Sequence, residues 1–350
     1  EKHKRNYPKQ RKKYYQANLI MKKIFFITIL FGIVFFLLHR VARTAEPVYV
    51  IPVEGEIEKG LVWVIRRGLR EAEASGAGAI ILHMDTNGGR ADATQEIMEL
   101  LNRTDIPTYT YVDTKAFSAG AYIAVATDHI YMAPASMIGA ATPIAASPLG
   151  GAATLDEATA EKMTSAFRAM IAATAEQNGH PVEVVEAMVD RDVEIPGVIE
   201  EGKLLTLTGV EAESEEVGLS EGTVDTVGGL LEQVGLSGAT LRTLEITPSE
   251  KLARFITASI VTVILLMGGL AGIYFEIKTP GFGLPGILGI SCLALFFFGH
   301  YIAGLAGYEE LLLFIIGATL LFIEIFITPG FGLLGSAGII CLAVSFITAM

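Results

Sequence analysis

From residue 255 to the last residue the chain reads as four apolar stretches near membrane-spanning length, at 255–274, 284–303, 311–327 and 333–350. This tail constrains the fold most, because hydrocarbon offers the backbone no hydrogen-bond partners and admits only helices or closed barrels. Its connectors repeat. Thr279-Pro280-Gly281-Phe282-Gly283 recurs as Thr328-Pro329-Gly330-Phe331-Gly332, 49 residues later. The match continues at Leu284/Leu333, Gly286/Gly335, Gly289/Gly338, Cys292/Cys341, Leu293/Leu342 and Ala294/Ala343, as a duplicated helix pair would give. Pro and Gly in both pentapeptides suit tight turns at a membrane surface.

Charge divides the chain into three. Residues 1–45 hold 11 Lys/Arg against one Glu, residues 46–250 hold 12 against 33 Asp/Glu, and residues 251–350 hold 3 against 4. An acidic middle repels nucleic acid, which binds through Lys and Arg that displace counterions. Only 18% of residues are charged and the mean hydropathy is +0.49, in keeping with a tail in lipid. The two cysteines, Cys292 and Cys341, both lie in that tail. The middle segment therefore has no disulfide framework, thiolate metal site or cysteine nucleophile.

Met21-Lys22-Lys23 followed by the 15 apolar residues 24–38 reads as a signal peptide or N-terminal anchor spanning 21–45, with 1–20 as a basic extension upstream of the start. Arg43 would stand at −3 for cleavage after Ala45, where a small residue is wanted, so signal and anchor stay open. Either way the positive-inside rule exports the segment 46–250. The chain stops inside an apolar run, which we expect to reflect C-terminal truncation of a membrane domain covering 255–350.

The middle segment alternates strand and helix signals. Strands are expected at 48–53, 79–84, 108–112 and 129–133, and helices at 60–73, 91–101, 117–127 (after an opening turn) and 156–177. Continuous apolar strands separated by helices indicate a buried parallel sheet, whose ligands sit at the carboxyl ends of the strands. Two loops fall there. Asn87-Gly88-Gly89 can present backbone N–H groups as an oxyanion hole, or can be an ordinary strand-to-helix turn. Ser118, in Ala116-Phe117-Ser118-Ala119-Gly120-Ala121-Tyr122, has the small neighbours of a nucleophile turn, with the Ala119 N–H as a second oxyanion donor. It can equally be a helix cap.

A serine nucleophile needs a base. His83 and His129 lie in strands and His180 in a helix connector; none follows Ser118 at a suggestive spacing. Lys162 sits beside an apolar stripe of Met163, Ala166, Phe167, Met170, Ile171 and Thr174. Burial there would favour the neutral amine, whereas a stem lying on the stripe with its head in water would be inert.

These motifs resemble the NfeD-type membrane serine proteases of the ClpP/crotonase superfamily. The resemblance runs through Asp85-Thr86-Asn87-Gly88-Gly89, the Ser118 segment, Met132-Ala133-Pro134 and Ile138-Gly139-Ala140. It continues through Leu205-Thr206-Leu207-Thr208, Glu211-Ala212 and Glu216-Val217-Gly218-Leu219, and then the multi-helix tail. It implies an α/β ClpP/crotonase-like domain of parallel sheets flanked by helices, followed by a four-helix transmembrane region. It further implies a Ser–Lys dyad, and Lys162 takes the lysine's place as the only lysine between Lys115 and Lys203. Soluble ClpP proteases carry a histidine where Ala141-Thr142 falls here, against a Ser-His-Asp triad. Asn87 departs from the family's frequent proline, and the small OB-type barrel that usually ends NfeD proteins is absent from the sequence.

The sequence-based expectation is thus a serine endopeptidase of the cytoplasmic membrane that needs no metal or cofactor. Ser118 and Lys162 would be catalytic, with Gly88, Gly89 and Ala119 forming the oxyanion hole. Expected partners are protein or peptide substrates, the lipid bilayer, stomatin-like membrane proteins and further copies of the chain. The alternative is a non-catalytic membrane scaffold for stomatin-like partners. Crotonase-type acyl-CoA chemistry uses the same fold, but export of the domain argues against it.

Overall fold

The computed structural model describes Met21 and residues 46–145, 153–278, 283–302, 308–326 and 332–349. Compact units divide between Glu46 and Pro47. The expected extension and signal or anchor segment lie outside the described residues, apart from Met21.

Three parallel strands form the centre of one sheet: β1 (Val48–Ile57), β2 (Ala79–Gly89) and β3 (Thr108–Phe117). Helices α1 (Lys59–Ala74) and α2 (Ala91–Leu101) make the crossovers, as parallel strands require. After α3 (Ala119–Val125), β4 (His129–Met132) pairs with the first half of β3 and β5 (Met137–Gly139) with its second half. Then follow α4 (Glu157–Asn178), α5 (Val182–Ala187), β6 (Thr206–Thr208), α6 (Gly209–Glu213), β7 (Gly222–Thr223), α7 (Val227–Gln233) and β8 (Leu241–Thr243). The longest path of paired strands runs β6-β5-β3-β2-β1-β8.

Both faces of the central strands are buried, which explains their unbroken apolar runs. Ile51, Val53, Ile80, Leu82, Met84 and Val112 belong to the core shared with α1, α2 and α3. Val48, Val50, Ile81, Tyr111 and Tyr131 meet Leu230 and Leu231 of α7 on the other side. The sheet is mixed rather than wholly parallel, because β6 runs antiparallel to β5. With only Leu207 buried among its three residues, β6 carries no apolar run to announce it. The central strands also outlast their apolar runs. Residues 85–89 and 113–117 are largely polar yet keep pairing through register shifts.

Beyond β8, the amphipathic α8 (Pro248–Thr257) is held apart from α9 (Ser259–Lys278) by an extended Ala258. The first apolar stretch therefore begins as a separate docking helix. α10 (Leu284–Ile302), α11 (Tyr308–Phe326) and α12 (Leu333–Ala349) complete the tail. Among the described residues, two helices are long and apolar enough to cross a membrane, at Ser259–Lys278 and Leu284–Tyr301. α11 carries Glu309, Glu310 and Glu324, and the apolar part of α12 is shorter.

The duplication is visible in three dimensions. Gly272 of α9 packs so closely on Gly289 of α10 that a Cβ would lie 2.6 Å from its Cα, and Gly317 of α11 packs likewise on Gly338 of α12. Glu276 accepts hydrogen bonds from the N–H groups of Gly283 (2.6 Å) and Gly286 (2.8 Å), while Glu324 accepts from Gly332. Each carboxylate thus caps the next helix, where the dipole favours negative charge. The turns at 279–282 and 328–331 lie outside the described residues.

His180, between α4 and α5, places Nε2 2.7 Å from the Thr127 carbonyl, and burial lowers its pKa. A depressed histidine pKa means that the unfolded chain takes up the proton first, so its contribution to stability is present near neutrality and lost on acidification. Replacing it by Gln is expected to flatten the fall in melting temperature between about pH 7.5 and about pH 5.5. An unchanged slope would contradict this.

Candidate functional site

The two loops singled out by sequence meet at the carboxyl ends of β2 and β3. Ser118 is the last residue before α3, and its backbone has φ 51° and ψ −118°, a strained conformation for a non-glycine residue. Its side chain makes no capping bond to α3. The capping explanation is therefore excluded, and Oγ is left half-buried at the turn.

Several backbone contacts hold this turn. Ser118 donates its N–H to the Gly139 carbonyl at 3.0 Å, and Ser118 accepts at its own carbonyl from Ala121 at 3.0 Å. Gly88, with φ +103°, fits beneath it: a Cβ there would lie 2.6 Å from the Ser118 Cβ. Gly120 lets α3 approach β2, since a Cβ would lie 2.6 Å from Cγ2 of Thr86. All of α3 is buried, so the turn sits on a rigid element.

The candidate oxyanion donors separate. Thr86 Oγ1 accepts the Gly88 N–H at 2.9 Å and donates to the Gly55 carbonyl at 2.6 Å. The Gly88 amide is therefore engaged within the turn. Arg90 donates its N–H to the Ile57 carbonyl at 2.7 Å, while Ile57 is registered opposite Gly89. Gly89 lies so close to β1 that a Cβ there would overlap the Ile57 carbonyl oxygen. Ala119 opens α3, where an N–H has no intrahelical acceptor.

Lys162 is exposed, and no hydrogen bond joins it to Ser118 among the described residues. Of the two alternatives for Lys162, buried or with its head in water, the second is found. Of its apolar stripe only Ile171 and Thr174 are buried, joined by Ala175, while Ala166 is exposed and Met163, Phe167 and Met170 are intermediate. The reason is where α4 docks. Arg168 bonds Asp190 at 2.6 Å, Asn178 bonds the Val125 carbonyl at 2.9 Å, and Phe167 meets Tyr122 edge-on with ring centroids 5.9 Å apart. The first turns of α4 extend beyond these contacts.

The histidines serve elsewhere. His129 pairs with Glu221 at 2.6 Å at the opposite end of the sheet, His83 lies 3.9 Å from Glu54, and His180 is tied to Thr127. Ala141 donates to the Met188 carbonyl at 2.7 Å and Thr142 to that of Val189 at 2.8 Å. No cluster of three or more potential metal ligands occurs among the described residues. Sequence reasoning missed Thr86. A threonine two residues before a turn glycine is the available signal, because its hydroxyl can take that glycine's N–H.

Residues 47–244 match the model of the NfeD1b N-terminal domain, and residues 260–350 that of the NfeD integral membrane domain. The chain belongs to the NfeD family. It is 40% identical over 283 residues to the membrane protein NfeD1b of Bacillus subtilis, covering 81% of this chain and 62% of that protein. It is 32% identical over 285 residues to the membrane-bound protease PH1510 of Pyrococcus horikoshii, covering 79% and 63%. The chain thus spans less than two thirds of the length of these NfeD relatives. Among solved structures it is similar to the 1510-N membrane-bound stomatin-specific protease in complex with a substrate peptide. There the identity is 29%, the TM-score is 0.52, and 61% of this chain and 98% of the other are covered.

The packing of Gly88 yields a prediction. Gly88→Ala combines a positive φ with a Cβ against Ser118, and is expected to destabilise the domain by about 1–3 kcal/mol in chemical denaturation. A wild-type unfolding midpoint would refute the proposed fit.

Proposed function

We propose that this chain is a membrane-anchored serine endopeptidase whose ClpP/crotonase-like domain, 46–250, lies outside the cytoplasmic membrane, with a four-helix membrane region after it. The observation that carries this reading is the strained backbone of Ser118, in a turn bordered by Gly88 and Ala119. Strain of this kind persists where the surrounding structure enforces it, and it clusters at reactive sites. Similarity to a protease solved with a substrate peptide supports peptides as the substrate class.

In this reading Ser118 Oγ attacks a scissile carbonyl after giving its proton to the neutral amine of Lys162. The Gly89 and Ala119 N–H groups hold the oxyanion, with Gly88 serving to shape the turn. The protonated Lys162 then returns its proton to the leaving amine, and water hydrolyses the acyl-enzyme. The dyad requires α4 to bring Lys162 from its exposed position to Ser118, either within one chain or on assembly with a further copy. Apolar segments of membrane-associated proteins are the proposed substrates, and stomatin-like proteins the proposed partners.

The exposed Lys162 and the engaged Gly88 amide favour a second reading, in which the domain is a non-catalytic scaffold. Hydrolysis of apolar peptides by the purified full chain separates the two. Ser118→Ala is expected to abolish turnover with thermal melting unchanged, and Lys162→Ala to lower it by about 10²-fold or more. Undiminished turnover in either variant would reject the dyad, and a folded but inert wild type would favour the scaffold.

A further inference from the structure

We propose that Arg254 and Glu58 are positioning residues through which the membrane-proximal helix α8 sets the Gly88-Gly89 turn and thereby the reactivity of Ser118; the proposal rests on the nucleophile reading above. Glu58 is only 1% exposed, yet it is a carboxylate. It accepts from the N–H groups of Gly60 and Leu61 at the start of α1, from Arg254 Nε at 2.8 Å and from Thr257 Oγ1 at 2.8 Å. A buried carboxylate is tolerated when its oxygens are satisfied and a cation faces it. Two of those partners, Arg254 and Thr257, come from α8.

The other end of Arg254 grips β1. Its Nη2 donates to the carbonyls of Glu54 at 2.7 Å and Glu56 at 3.1 Å. These flank Gly55, whose own carbonyl takes the Thr86 hydroxyl, and Thr86 in turn takes the Gly88 N–H. Next along β1, the Ile57 carbonyl takes the Arg90 N–H just beyond Gly89. Both flanks of the oxyanion turn therefore hang from the short stretch of β1 that Arg254 fixes. On the membrane side, Ser259 at the head of α9 bonds the Glu56 carboxylate, and Ile256 of α8 packs directly against Gly299 of α10. A shift of the membrane helices is thus transmitted to β1 through hydrogen bonds and close packing rather than through a flexible linker.

A second clamp on the same helix supplies the control. Arg67 of α1 bonds Glu250 at 2.7 and 2.9 Å and the Glu245 carbonyl at 2.8 Å, with no hydrogen bond to β1 among the described residues. Removing it loosens α8 but leaves the link to the turn in place.

The test is the kinetics of fluorophosphonate labelling of the full chain in detergent, with the adduct located by mass spectrometry. Arg254→Gln and Glu58→Gln are expected to lower the limiting acylation rate by about tenfold or more with little change in the reagent's half-saturating concentration. Arg67→Gln is expected to lower the melting temperature while acylating Ser118 at the wild-type rate. If the Arg254 variant does not fold, Thr86→Val removes the hydroxyl at the far end of the same path and is expected to show the same loss. Wild-type acylation in the folded Arg254 and Glu58 variants, or an equal loss in Arg67→Gln, would overturn the proposal. A folded wild type with no Ser118 adduct would instead overturn the nucleophile reading beneath it.

Discussion

The site depends on one backbone conformation, the positive φ of Ser118. An L-residue pays steric strain there, so neighbouring groups must hold it. They do so from three sides: the Gly139 carbonyl on the Ser118 N–H, Gly88 beneath the Ser118 Cβ, and the buried α3 that follows. Gly139 belongs to β5 and Gly88 to β2, while α3 follows β3. The turn can therefore form only once β2, β3 and β5 are paired, which ties the Ser118 conformation to completion of the fold.

The membrane region follows a related logic with different chemistry. Its helix pairs approach through glycine against glycine, and a glutamate near the end of one helix satisfies the first N–H groups of the next. That arrangement occurs twice, as the repeated pentapeptides imply. Between the two regions stands α8, which exposes Leu252 and Phe255 while burying Ala253, Ile256 and Thr257. It belongs to neither layer alone. Through Glu58 and Arg254 it joins the start of the membrane helices to the strand beside the Gly88-Gly89 turn.

Sequence showed the central architecture because strands buried on both faces leave unbroken apolar runs, as 79–84 does. It did not show where β2 and β3 end, since residues 85–89 and 113–117 pair through backbone groups while their side chains are largely polar. Ser118, Gly88, Gly89 and Ala119 stood out from their loops, and of these Gly88 packs against Ser118 beside the Ala119 N–H. That Thr86 engages the Gly88 N–H was not legible, because it turns on the direction of one amide. Lys162 marks the limit of periodicity. The apolar stripe of α4 was real, but only its C-terminal part meets the domain, so the stripe did not imply burial for a residue near its start. Arg254 and Glu58 lie 196 residues apart, and no local pattern links them.

The central claim is that Ser118 is an activated nucleophile facing an oxyanion hole. The most direct test is an experimental structure of the full chain after reaction with a phosphonate ester. The account predicts a covalent bond to Ser118 Oγ, with a phosphonyl oxygen within hydrogen-bonding distance of the Gly89 and Ala119 N–H groups. An unmodified Ser118, or an adduct whose oxygens face solvent away from both amides, would contradict it.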